Sequence, residues 1–176
     1  NIDLLVICVN NFTYVMTGVQ VSPTSPGGAT YSTAPYGQFE TPFNLPHLAD
    51  SCGAVYVARW TTFHVRQLTK SIREAFGKKG FRFIEVISPC PTLYQRRNKL
   101  GDGLDAMKFY KEASVLKNGA DTRELDIGFQ SPIIVGSFVN RDRPSFIEAM
   151  NKRFTSVFGE SYKPYPEGPS KAVQGC

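Results

Sequence analysis

Residues 2–9 (IDLLVICV) are almost all Ile, Leu or Val, interrupted by Asp3 and Cys8. An apolar run of this length without alternation fits a parallel strand covered on both faces. It stops at Asn10-Asn11. Residues 54–60 (AVYVARW), 81–88 (FRFIEVIS) and 133–139 (IIVGSFV) repeat the strand pattern. Between the first two of these, residues 62–76 carry Val65, Leu68, Ile72 and Phe76 at helical spacing. Thr61 or Thr62 can cap that helix and Gly77 can end it. Strand, helix and strand with short connections make a βαβ unit, so its two strands should be parallel and joined right-handed. Further helices are predicted at residues 45–51 behind Asn44, at 105–113, and at 144–154, where Pro144 suits a first turn. The pattern is an α/β fold, a mostly parallel sheet with flanking helices. It assigns residues 1–155 to one domain and 156–176, rich in Pro, Gly and Lys toward the end, to an extended tail.

Two stretches do not fit a plain α/β rhythm. Residues 12–44 form a long connection rich in Gly, Pro, Ser and Thr. Loops above roughly 15 residues are uncommon and often functional. Phe12, Tyr14, Tyr31, Tyr36, Phe39 and Phe43 within it predict a loop packed over something rather than a floppy insertion. The other is the beginning: Asn1 leads within two residues into an apolar strand. A domain rarely opens that way, and the expectation is a fragment lacking an N-terminal part.

Composition narrows the classes. The formal charge of +5 is mild, and Lys and Arg are scattered rather than striped. That is either an ordinary solvated surface or a docking face for an acidic partner. Clustered basic residues and stacking platforms are missing, so no nucleic acid is expected. No apolar run approaches the ~20 residues of a membrane span, so no membrane is expected either. The four cysteines, at 8, 52, 90 and 176, show no CxxC pairing. They point to a reducing, cytoplasmic compartment rather than a disulfide scaffold. Cys8 reads as a small core residue and Cys52 as structural; Cys176 is terminal.

Ligands of open α/β sheets bind at the carboxyl ends of the strands. Two strand ends here carry unusual residues: Asn10-Asn11-Phe12-Thr13 and Ser88-Pro89-Cys90-Pro91-Thr92. The Asn pair is explained either as turn chemistry or as an oxygen donor to a hard cation such as Mg²⁺. Cys90, held rigid and exposed between two prolines, reads as a core packer or as a thiolate metal ligand. Gly101-Asp102-Gly103, which follows the Asn pair, reads as an ordinary turn.

Asn10-Asn11, then Tyr14-Val15-Met16-Thr17-Gly18-Val19-Gln20-Val21-Ser22-Pro23-Thr24, resembles the thiamine-diphosphate loop of 2-oxoacid:ferredoxin oxidoreductase β subunits. So do Tyr56 to Trp60, Phe83 to Val86 with Cys90-Pro91-Thr92, and Val139 to Pro144. Met16-Thr17-Gly18 is most similar to the 2-oxoglutarate-type enzymes. The resemblance implies Mg²⁺ bound by the Asn11 side chain and the Thr13 backbone, with cofactor contacts at Val15 and Met16. It implies that Cys90 is one ligand of an iron–sulfur cluster of the 4Fe-4S type. The implied activity is oxidative decarboxylation of a 2-oxoacid on thiamine diphosphate, with coenzyme A taking the acyl group. Electrons leave for ferredoxin, and an α subunit completes the enzyme. Val15 and Val19 depart from the family, which usually has Gly there. A different thiamine enzyme, such as a decarboxylase, would share the Asn motif without a use for Cys90. A degenerate relative would keep the fold and lose the cofactor.

Overall fold

A computed structural model describes residues 1–166. Five strands form one sheet in the order β1-β3-β2-β5-β4. They are β1 (Leu4–Asn10), β2 (Tyr56–Thr61), β3 (Phe81–Ile87), β4 (Ser114–Leu116) and β5 (Ile133–Asn140). The helices are α1 (Leu45–Ser51), α2 (Val65–Phe76), α3 (Gly103–Ala113) and α4 (Phe146–Phe158). β2 and β3 are parallel neighbours flanking α2, as the βαβ pattern requires. β1 adds to β3 in parallel and β4 to β5 in parallel, while β5 runs antiparallel to β2. The mostly parallel sheet is therefore present, with one antiparallel seam.

Each face of the sheet has its own core. On one, Ala58, Trp60, Ile84 and Val86 meet Leu68, Ile72 and Ala75 of α2 and the buried rings of Phe12, Tyr31 and Tyr94. On the other, Val57, Phe83 and Phe138 meet Ala49 of α1 and Leu125.

Several expectations shift. β1 is not buried on both faces: as an edge strand it leaves Leu4, Ile7 and Val9 exposed. The stripe that α2 buries is Leu68, Ser71, Ile72 and Ala75, while Val65 and Phe76 overhang the ends. Ser71 lies inside because its Oγ accepts the indole N–H of Trp60 at 2.7 Å. His64, not a threonine, is the residue before α2, and Thr61 Oγ1 sits 2.8 Å from His64 Nδ1. The short β4 had no legible pattern. α4 is capped by Ser145 and continues to Phe158, so the helix overruns the boundary drawn at residue 155. Residues 167–176, including Cys176 and most of the predicted tail, lie outside the described residues.

Candidate functional site

β1 and β3 run side by side and end together, and Ser88 N–H donates to the Asn10 carbonyl at 2.9 Å across their last rung. Beyond β1 the chain turns sharply. Phe12 takes the left-handed region at φ 65°, a strained choice for a bulky residue. The turn sends the buried Phe12 ring inward, while Asn11 and Thr13 line an open depression of about 430 Å³. Tyr14, Val15, Met16, Thr17 and Gln20 complete that lining. Tyr14 and Gln20 exchange backbone hydrogen bonds at 3.1 Å, and Thr13 Oγ1 donates to the Gln20 carbonyl at 2.9 Å. Residues 13–20 are thus a closed loop rather than a free end. All four residues assigned to metal and cofactor at this strand end share one concave surface.

The two asparagines have opposite fates. Asn10 is buried and Asn11 is half-buried on the depression. Asn10 Nδ2 donates to Glu85 Oε1 at 2.7 Å, and its Oδ1 accepts from Phe12 N–H at 3.0 Å and Thr24 Oγ1 at 2.8 Å. Asn11 Oδ1 accepts a longer bond from Thr13 N–H at 3.3 Å. That leaves its second lone pair for another partner.

Cys90 is not at an exposed strand end. It is 6% exposed, because the loop after β1 and α3 fold over it. It lines a narrow cavity of about 50 Å³ with Phe12, Tyr94, Gln95 and Tyr110. Burial raises the pKa of Tyr94 and of Tyr110, so both stay neutral phenols. The Tyr94 ring lies 5.9 Å from Phe12 and 5.8 Å from Tyr31. The long connection therefore does pack, through Phe12 and Tyr31, whereas Tyr14, Tyr36, Phe39 and Phe43 face solvent. Cys8 and Cys52 are free, the first half-buried and the second exposed. Burial and the charge of Glu85 raise the Cys8 pKa, which keeps it a thiol.

Asp102 is claimed by α3. Its side chain accepts from Leu104 and Asp105 N–H, and Asp105 returns a bond to the Asp102 N–H. The Gly-Asp-Gly segment is a helix cap.

The model of the thiamine pyrophosphate enzyme C-terminal TPP-binding domain matches residues 1–86. The 2-oxoglutarate synthase subunit KorB of Methanocaldococcus jannaschii is 49% identical over 161 residues, 91% of this chain and 59% of that protein. Over most of its length the chain is similar to KorB-type β subunits of 2-oxoacid:ferredoxin oxidoreductases. The subunit of the same name from Methanothermobacter thermautotrophicus is 49% identical over 84% of this chain and 51% of its own length. The chain thus spans about half to three-fifths of the length of these two relatives. Among solved structures, 2-oxoglutarate:ferredoxin oxidoreductase from Magnetococcus marinus, with 2-oxoglutarate, coenzyme A and succinyl-CoA bound, shares the fold. Its TM-score is 0.70 over 89% of this chain and 53% of that one, at 23% identity.

The two valines, where the resemblance leads to Gly, have a visible outcome. Val19, where Gly is usual, takes φ 63° and buries its side chain beside Phe12. The left-handed backbone that Gly would adopt freely is kept, and apolar burial offsets the strain. Val15 is half-buried against the same core, away from the left-handed region. The donor set at the depression is neutral oxygen, which suits a Mg²⁺ that takes most of its ligands from phosphate and water. A cluster is a different matter. Among the described residues no three His, Cys, Asp or Glu side chains converge on a metal position, so Cys90 alone does not hold one.

Proposed function

We propose that the protein is the thiamine-diphosphate-binding β subunit of a 2-oxoacid:ferredoxin oxidoreductase acting on 2-oxoglutarate. The reading rests on Asn11, Thr13, Val15 and Met16 sharing one depression at the carboxyl end of β1, in a chain 49% identical to KorB. The Asn11 amide oxygen and the Thr13 carbonyl hold Mg²⁺, and the backbone at Val15 and Met16 contacts the diphosphate. When bound, thiamine diphosphate supplies the electron sink that lets a 2-oxoacid lose CO₂. The left-handed turns at Phe12 and Val19 hold the oxygens in place before binding, so less ordering is needed at that moment. Cys90 donates one thiolate to a 4Fe-4S cluster, its other ligands coming from elsewhere in the enzyme. Coenzyme A is the acyl acceptor, ferredoxin the electron acceptor, and an α subunit completes the site. The free cysteines suit a reducing cytoplasm.

The test is viologen reduction by the full-length subunit assembled with its partner, with and without Mg²⁺–thiamine diphosphate. The reading requires coenzyme-A- and cofactor-dependent turnover with a higher kcat/KM for 2-oxoglutarate than for pyruvate. A preference for pyruvate overturns the substrate; cofactor-independent turnover overturns the enzyme class.

A further inference from the structure

Behind the depression lies a chain of buried polar groups that none of the assigned roles uses. On the sheet face opposite α2, Arg59 of β2 is directly across from Glu85 of β3, and Asn10 of β1 lies two residues further along the register. Arg59 and Glu85 are 0% and 1% exposed and joined at 2.6 Å, Arg59 Nε donating to Glu85 Oε2. Arg59 Nη1 also donates to the Leu125 carbonyl at 2.7 Å, which anchors the guanidinium from the far side. The other carboxylate oxygen accepts from Asn10 Nδ2.

That last bond decides the orientation of the Asn10 amide. With Nδ2 turned to Glu85, Oδ1 must face the loop, where it accepts from Phe12 N–H and Thr24 Oγ1. Reversed, the amide would put NH₂ against the Phe12 N–H and its oxygen against a carboxylate, leaving buried groups unpaired at a cost of ~1–3 kcal/mol each. The Asn10 amide therefore ties both ends of residues 12–24 to one point. Ser25 Oγ closes the ring by donating to the Phe12 carbonyl at 2.8 Å.

We propose that Glu85 and Thr24 are positioning residues for the depression at residues 11–20, acting through Asn10. Neither lines that depression, and neither would touch the cofactor. Glu85 fixes the amide from the sheet, and Thr24 pins the returning loop to it. Arg59 holds Glu85 in place. The inference rests on the cofactor reading only for what the loop positions, not for the positioning itself.

Thr24 is half-buried, so it can be changed without opening the core. Thr24→Val removes the hydroxyl and keeps the shape; Thr24→Ser keeps the hydroxyl. In the assembled enzyme, Thr24→Val raises the KM for Mg²⁺–thiamine diphosphate about tenfold, the size of one lost hydrogen bond, with kcat at saturation within about twofold. Thr24→Ser stays within about twofold of wild type on both. A cofactor-free readout accompanies it: backbone amide exchange in residues 12–20 accelerates about tenfold in Thr24→Val and in Glu85→Gln, ahead of any change in β2. Wild-type exchange rates in Thr24→Val overturn the proposal. So does Thr24→Ser behaving like Thr24→Val, since packing and not the hydroxyl would then matter. If wild type itself shows no cofactor affinity, the cofactor reading fails, and the exchange arm still decides the positioning.

Discussion

The loop after β1 and the turn after β3 leave the sheet at neighbouring strand ends, yet they offer opposite chemistry. The first lines an open depression with amide, hydroxyl and backbone oxygen. The second buries a sulfur in a narrow cavity walled mainly by aromatic and apolar side chains. Phe12 belongs to both: its neighbours in the chain face the depression and its ring faces the cavity with Cys90. One left-handed residue thus divides an open surface of oxygen donors from a buried sulfur. Topology supplies a place for ligands at strand ends; the residues that follow each strand decide which kind.

The largest test of that division removes what lies beneath both sites. Arg59→Ala strands Glu85 as an unpaired buried charge and should cost about 3–5 kcal/mol. That is a large share of a domain's stability, so the expected outcome is a steep loss of soluble protein and a lower urea midpoint. A midpoint within error of wild type would mean that the two sites have separate foundations.

A crossed pair of variants in the assembled full-length enzyme separates the sites themselves. Asn11→Ala should lower cofactor affinity at least about tenfold and leave iron content intact. Cys90→Ala should lose iron and keep cofactor affinity, while Cys52→Ala, at an exposed thiol, retains both. Iron content equal in all of them would remove the soft-ligand half of the comparison.

The cavity side also predicts a pH response. Tyr94 and Tyr110 have folded pKa values raised by burial above the ordinary 10.0. Below pH 10 both states are protonated and the native state keeps its full stability. Above it the unfolded chain sheds protons that the folded chain retains, so stability falls as pH rises. Tyrosinate absorbance should therefore lag until unfolding, and a melting temperature unchanged between pH 9 and 11 would contradict the burial. The smallest effect is on the depression side. Val19→Gly releases strain of about 1–3 kcal/mol but gives up a buried side chain of about 1.5–3 kcal/mol, so thermal stability should change by at most a few degrees.

Much of this was legible in the sequence, and unevenly. Periodicity located β2, β3 and β5 to within two residues and α2 to within three, because long apolar runs and a helical stripe are local signals. It misjudged β1, since an edge position is set by which strands pair and not by the strand's own residues. The Asn11 loop could be read because a turn after a strand concentrates its chemistry in a few consecutive residues. The Arg59–Glu85–Asn10 chain could not. Its members are distant in sequence; Arg59 and Glu85 look like polar interruptions in otherwise apolar strands, and Asn10 looks like a strand end. The hint was there: a charged residue inside a buried strand needs a partner, and β2 contains Arg59 while β3 contains Glu85.

The outer edge of β1 carries a consequence for the bench. Among the described residues nothing pairs with that edge, and Leu4, Ile7 and Val9 lie bare along the strand. Two such edges meeting is a bimolecular event, so precipitation of residues 1–176 should accelerate with the square of concentration, while intramolecular refolding does not. Dilution during refolding then raises the yield, and a lysine at Ile7 or Val9 does the same at fixed concentration by making the encounter repulsive.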